Sequence, residues 1–224
     1  MLDRVRPIGI MQMTERRRPL APLSRRQVAG GALGLVAAVV QAKGALGENP
    51  GIGHVLSLRG EAYVEVGPTR RPLAVQAPLY LGDLIMTGPA ARIRVRLGRR
   101  TILALGENAR LRIDRQVLAD DSGDYELQAG PLLLDHDENG PTVRATVRSS
   151  YGLIAVRGTR FFAGPSNDVF GVFVASGRVS VQAGGRMVLL DKGDGTNIRV
   201  PGDRPSDPAP WREPRIRAAL ASVE

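Results

Sequence analysis

From residue 51 to residue 200 the chain alternates apolar and polar residues in short runs, and glycine-containing turns separate these runs. The clearest run is residues 92–97, in which three arginines alternate with isoleucine, valine and leucine. Alternation with a period of two places apolar side chains on one face of a β-strand and polar side chains on the other. The 27 glycines and 16 prolines supply turns between many such strands. The sequence therefore predicts an all-β fold.

The most distinctive stretch is residues 152–162, where apolar residues lead into Arg157-Gly158-Thr159 and two phenylalanines follow. Apolar residues at nearly every position predict a strand that is buried on both faces. Gly158 inside this strand predicts a bulge or a close approach of another backbone. A buried Arg157 needs a partner, which is either a structural contact that fixes a corner of the sheet or an anionic ligand.

This stretch resembles the hallmark of the FecR family, which is named after the periplasmic regulator of ferric citrate uptake. The residues that carry the resemblance are Gly82, Asp83, Gly152, Val156, Arg157, Gly158, Thr159 and Phe161. The resemblance covers residues 50–200 and implies an all-β domain of stacked antiparallel hairpins, arranged as a sandwich or a solenoid-like sheet. It also implies that these hallmark residues are structural. The family's closing pattern implies a hairpin that turns at residues 175–177.

The domain organisation predicted from the sequence has three parts. Residues 1–47 contain Arg25-Arg26 followed by an apolar run, residues 29–40, that is shorter than the about 20 residues needed to span a bilayer. This pattern predicts a twin-arginine export signal, cleaved between residues 42 and 48, and a periplasmic protein; an uncleaved anchor is the alternative. Residues 48–200 form the β domain. Residues 201–224 form a proline-rich tail and a short helix that packs back on the domain through Trp211.

The net charge of +9 is concentrated at the N-terminus of the chain. Residues 1–47 hold eight of the 31 basic residues and two of the 22 acidic ones, which leaves 23 basic and 20 acidic residues in the remainder. The basicity of the whole chain is therefore a property of the predicted export segment and not of a nucleic-acid-binding surface. Few aromatic residues are available to stack on bases, so we expect no nucleic-acid partner.

The best candidate for an interaction surface is the polar face of the strand at residues 92–97. Arg92, Arg94 and Arg96 share this face, and Arg110 and Arg112 are predicted to add to the same basic region. Such a surface fits an acidic protein partner in the cell envelope, or an anionic glycan or lipid. The alternative is an ordinary solvated face whose arginines pair with acids on neighbouring strands.

The sequence indicates no catalytic, metal or cofactor site. The chain has no cysteine and two histidines, and the cluster at residues 135–138, which holds His136, lacks the spacing of a zinc site. No glycine-rich loop opens a helix as a phosphate-binding loop would. We therefore expect a protein that is not an enzyme and has no cofactor. The alternative is a hydrolase that uses a pair of carboxylates, with Asp83 and Asp135 as the first candidates.

The leading hypothesis is a non-enzymatic periplasmic module that senses a signal or binds a partner protein, and the family resemblance implies a link to iron-uptake signalling. The best-known family members span the inner membrane and bind a sigma factor in the cytoplasm. An export signal at residues 1–47 would set this chain apart from that arrangement. The alternative is a structural protein of the cell envelope that binds anionic glycan or lipid through the arginine face. The sequence does not indicate an oligomeric state.

Overall fold

Alternating burial along the strands confirms the all-β prediction. In the strand at residues 92–97, Ile93, Val95 and Leu97 are at most 1% exposed, whereas the arginines between them reach solvent. The computed structural model describes residues 51–136 and 144–224. The predicted export signal at residues 1–47, with its cleavage site, lies outside these residues.

The described residues form sixteen strands and one helix. The strands are β1 (Gly53–Arg59), β2 (Ala62–Val66), β3 (Thr69–Pro72), β4 (Pro78–Leu79), β5 (Leu84–Thr87), β6 (Arg92–Leu97), β7 (Thr101–Leu105), β8 (Arg110–Gln116), β9 (Gly123–Ala129), β10 (Leu132–His136), β11 (Arg144–Ser149), β12 (Gly152–Ser166), β13 (Val169–Ala183), β14 (Arg186–Leu190), β15 (Asp194–Ile198) and β16 (Ala209–Pro210). The helix, α1 (Glu213–Ala221), follows the last strand and is neither long nor apolar enough to cross a bilayer.

All of these strands belong to one hydrogen-bonded sheet. The strand order is β3-β2-β5-β8-β9-β11-β12-β10-β7-β6-β1-β4, and β13 adds β14, β15 and β16 through its pairing with β12. Neighbouring strands are antiparallel except that β11 runs parallel to β9. The inward face of nearly every strand contributes to one apolar core, in which Tyr125 and Phe161 are among the largest fully buried side chains. A single sheet can bury one face against itself only by curling, so the fold is a curled, half-open barrel.

A second apolar cluster lies on the outer face of the sheet, under the C-terminal segment. Phe162 on β12 and Phe173 on β13 form its floor, and Trp211 covers them. Ala219 of α1 is buried in the same cluster, and neighbouring helix residues pack against it. Pro214 lies in the first turn of the helix, where its missing N–H costs nothing. The prediction that the tail packs back on the domain is therefore confirmed.

The hairpin predicted at residues 175–177 is wrong. β13 runs without reversal from Val169 to Ala183, and the turn that joins it to β12 is Asn167-Asp168. Both turn residues have positive φ, at 54° and 61°, as the tight turns of β-hairpins require. The pairing of β12 with β13 shifts register between Arg157 and Arg160, where β12 has the extra residue, and again between Arg160 and Phe161, where β13 has the extra residue Ala175. Ala175 is therefore absorbed as a bulge and does not reverse the chain.

Candidate functional site

The Gly82-Asp83 part of the hallmark is a structural clamp at the turn before β5. Asp83 is 2% exposed, and its carboxylate accepts hydrogen bonds from the Tyr80 N–H at 2.9 Å and from Arg71 Nη2 at 3.2 Å. Gly82 has a φ of +85° and donates its N–H to the Ile113 carbonyl at 2.8 Å. These bonds tie the turn to β3 on one side and to β8 on the other.

Burial dominates the electrostatics of this clamp. Loss of hydration raises the pKa of the Asp83 carboxyl above its ordinary value of 3.8, and the Tyr80 N–H and the Arg71 guanidinium oppose this rise only in part. The carboxyl therefore binds its proton more tightly in the folded protein than in the unfolded chain.

Replacing Asp83 with asparagine is expected to change how stability depends on pH. The raised pKa of Asp83 adds stability that is complete below pH 3.8 and is lost as the pH rises through the folded-state pKa. The free energy of unfolding of the unaltered protein, minus that of Asp83→Asn, should therefore fall between about pH 4 and neutrality in urea titrations. The amide oxygen of the variant can still accept the Tyr80 N–H, so the turn is preserved. A difference that grows with pH would contradict the prediction.

The hallmark residues of β12 fix its course between two neighbouring strands. Val156 and Phe161 point into the main core, and Thr159 between them is fully buried. Gly158 has a φ of +61° and lies at the register shift, which confirms the bulge predicted from its position. Gly152 has a φ of +146°, and a Cβ there would lie 2.5 Å from the Gln182 carbonyl oxygen. These observations support the structural role that the family resemblance implies.

Arg157 departs from the predicted burial. Its side chain is exposed on the outer face of β12, and it has no ion pair or hydrogen bond within residues 51–136 and 144–224. The outer face of this part of β12 carries only half-buried Leu153 and Ala155 besides Arg157, so the strand is not buried on both sides. The period-two alternation puts Arg157 outside because Val156 is inside. It is not a buried structural clasp.

Arg157 lies between two other exposed arginines. In the sheet register it is directly opposite Arg144 on β11 and directly opposite Arg178 on β13. Arg178 pairs with Asp191 at 2.7 Å, whereas neither Arg144 nor Arg157 has an acidic partner among the described residues. We call Arg144, Arg157 and Arg178 the cationic row. Sequence analysis missed it because these residues are 13 and 21 positions apart and only strand pairing makes them neighbours.

The three arginines of β6 share one face, as predicted, but have different environments. Arg92 donates from Nε and Nη2 to the Ala221 carbonyl at 3.3 and 3.2 Å and so caps the C-terminus of α1. Arg94 is exposed and has no partner in the described part of the chain. Arg96 is half-buried, and its Nε is buried without a hydrogen-bond acceptor among the described residues.

The structure separates Arg110 and Arg112 from the β6 arginines. Five strands lie between β8 and β6 along the sheet. Arg110 Nε donates to Gln128 Oε1 at 3.4 Å, and Arg112 Nε lies 3.5 Å from Glu126 Oε2. These two arginines thus belong to an ordinary solvated face with cross-strand partners, which is the alternative considered above.

The residues considered for catalysis or metal binding do not converge. Four strands separate β10, which carries Asp135, from β5, which Asp83 precedes. His136 is buried and its Nδ1 lies 3.2 Å from Thr101 Oγ1. The remaining two residues of the 135–138 cluster lie outside the described residues. Over residues 51–136 and 144–224, no group of three or more histidines or acids is placed to hold a metal ion.

A cavity of about 460 Å³ is lined by residues 127–130, at the end of β9, and by residues on both sides of the β12–β13 turn. Tyr151 stacks on Phe170 beside this cavity, with ring centroids 4.5 Å apart and planes inclined by 7°. Arg199 and Asp168 also line the cavity. Both side chains are exposed, whereas Phe170 belongs to the main apolar core and Tyr151 packs against it.

Comparison with known proteins identifies the domain. Residues 83–180 match the model of a family described as FecR protein. Two crystal structures of a candidate anti-sigma factor from Parabacteroides distasonis ATCC 8503 are similar to this chain, each with 15% sequence identity and a TM-score of 0.51. The similarity covers 61% of this chain and 64% and 63% of the two solved chains, which is less than two thirds of their length. No curated protein matches the chain.

At 15% identity the solved structures show a shared fold and nothing further. The family match begins at Asp83 of the clamp and extends through the bulge of β12 into β13. The chain thus carries a FecR domain over residues 83–180.

Proposed function

We propose that this protein is a non-enzymatic signalling module that works in the periplasm by binding an acidic segment of a partner protein. The FecR domain and a fold shared with a candidate anti-sigma factor support a signalling role. The twin-arginine pattern in residues 1–47 supports the location. A link to iron-uptake signalling enters the proposal only through the family resemblance, because a fold does not transmit a function.

The observation that carries the proposal is the cationic row. Like charges at directly opposed positions destabilise a sheet, and Arg144, Arg157 and Arg178 occupy such positions on three adjacent strands. Asp191 already pairs with Arg178, and an acidic partner would relieve the repulsion at Arg144 and Arg157, because each guanidinium can bind a carboxylate through two parallel hydrogen bonds. The row spans roughly 10 Å across three strands, a width that a short acidic segment can cover.

The test is capture of a partner from a periplasmic and envelope extract by the purified full chain. We expect the double variant Arg144→Ser/Arg157→Ser to capture at least tenfold less of a specific protein than the unaltered chain does. Capture by the unaltered chain should weaken as salt is raised, since the contact is exposed and electrostatic.

The matched control is the double variant Arg110→Ser/Arg112→Ser. It removes the same charge from the same sheet, but from arginines that already have cross-strand partners. If both double variants lose capture of the partner equally, only the net charge of the sheet matters. That result would overturn the proposal that the partner binds at the cationic row. If the unaltered chain retains anionic glycan or lipid and captures no protein, the result would favour the alternative function, a structural protein of the cell envelope.

A further inference from the structure

We propose that Arg96, Arg99 and Arg100 form a binding site for a phosphate monoester that carries a neighbouring hydroxyl group. This site goes beyond the partner-binding role proposed above and uses none of the residues of the cationic row. It lies at the turn between β6 and β7, around a cavity of about 300 Å³ that Ile102 and Asp135 also line. This volume is at the lower end of the range for small-ligand sites.

Arg96 brings an unsatisfied donor to this cavity. Arg96 Nε is buried but has no hydrogen-bond acceptor among the described residues. Its Nη1 makes only a long contact, 3.5 Å, with the Arg99 carbonyl. A buried donor on a charged group is unfavourable without an acceptor, and a ligand oxygen in the cavity would supply one.

A buried carboxylate fixes the turn that carries the other two arginines. Asp121 is 2% exposed and accepts hydrogen bonds from the Arg99 N–H at 2.6 Å and from Arg100 Nε at 3.3 Å. Gly98 starts the turn with a φ of +60°, and a Cβ there would overlap Asp121 Oδ1. Asp121 therefore acts as a positioning residue for the Arg99 backbone and the Arg100 side chain, and both arginines line the cavity.

The charged side chains that line the cavity have an excess of positive charge. Asp121 is the ion-pair partner of Arg100, while the Arg96 and Arg99 guanidinium groups have no acidic partner among the described residues. Asp135, which also lines the cavity, has its Oδ2 3.8 Å from Arg160 Nε, so its charge is already partly neutralised. Two guanidinium groups in excess fit a phosphate dianion. The Asp135 carboxylate can accept a further hydrogen bond, which a hydroxyl group of the esterified alcohol would donate.

The experiment measures binding of glycerol 3-phosphate to the purified full chain by calorimetry and by the shift in melting temperature, at constant ionic strength. We expect Arg96→Gln to weaken binding at least tenfold. In the absence of ligand, this variant should melt no lower than the unaltered protein, because it removes an unsatisfied buried donor. The matched control is Arg94→Gln, which removes an exposed arginine from the same face of β6 and should bind like the unaltered protein.

A second arm separates two sources of the phosphate group. Vesicles of phosphatidylcholine with phosphatidic acid present the same chemistry as a lipid headgroup. Retention on these vesicles that is lost in Arg96→Gln but not in Arg94→Gln supports the site and assigns it to lipid. Equal weakening in both variants, or no binding of either probe to the unaltered protein, would overturn the proposal. A loss of partner capture in the earlier experiment would leave this result unaffected, since the two sites share no residue.

Discussion

Replacing Trp211 with alanine is expected to lower the free energy of unfolding by about 3–5 kcal/mol, the usual cost of removing a large buried aromatic side chain. The indole ring is 8% exposed. It stacks on Phe173, with ring centroids 5.3 Å apart, and its centroid is 6.4 Å from that of Phe162. The Arg215 guanidinium carbon lies 3.6 Å from the centroid of the indole ring. Loss of the indole ring would leave the outer apolar cluster open to water and release α1.

Denaturant unfolding followed by circular dichroism measures this effect, and Trp211→Phe is the control. Phenylalanine keeps much of the apolar contact with Phe162 and Phe173, so its cost should be well below that of alanine. Trp211 is the only tryptophan of the chain, so its fluorescence in the unaltered protein reports directly on the docked tail. If Trp211→Ala unfolds with the same denaturant midpoint and slope as the unaltered protein, the tail does not stabilise the sheet.

Replacing Gly152 with alanine is the second change with a large expected effect, about 3 kcal/mol or more. Two causes add at this position. The φ of +146° is strained for any residue with a side chain, and the new Cβ would lie 2.5 Å from the Gln182 carbonyl oxygen and 2.9 Å from Ala183 Cβ. Because Gln182 contributes backbone atoms, the overlap can be relieved only by moving β13 away from β12, where the two long strands pair.

Gly185→Ala separates these two causes. Gly185 also has a positive φ, at +74°, but no atom lies within 4 Å of the position of an added Cβ. Backbone strain alone should cost about 1–2 kcal/mol there. Thermal or urea unfolding of both variants gives the comparison, and equal destabilisation would contradict the role of Gly152 as a point of close approach between strands.

β12 follows its sequence pattern along the strand, but the burial of its outer face depends on what packs there. The apolar stretch is a strand, Gly158 marks a bulge, and Phe161 and Phe162 are buried on opposite faces. Phe162 is buried only because the C-terminal tail covers the outer face of the sheet. Within residues 51–136 and 144–224 no segment covers Arg157, which is exposed, so the prediction of burial on both faces fails there. A residue pattern reports alternation along a strand but not what packs on each face.

The candidate sites show the same limit. Arg94 and Arg96 are two residues apart on one face of β6, yet one is exposed and the other lines a cavity, because the turn at Gly98 brings Arg99 and Arg100 over Arg96 only. Arg112 has the same sequence character but faces Glu126 on the neighbouring strand. Which acid lies opposite which arginine depends on strand order and register, and neither is encoded within a single strand.

Four features could be predicted from local sequence patterns: the all-β class, the outward placement of the β6 arginines, the bulge at Gly158 and the tail that packs through Trp211. Each of these follows from a local cause: period-two alternation, the conformational freedom of glycine, or an apolar anchor after a proline-rich segment. The tertiary structure alone decided the single curled sheet, the cationic row and the buried Asp121 under the Gly98 turn. Each of these joins residues that are distant in the chain, and only long-range pairing and burial bring them together.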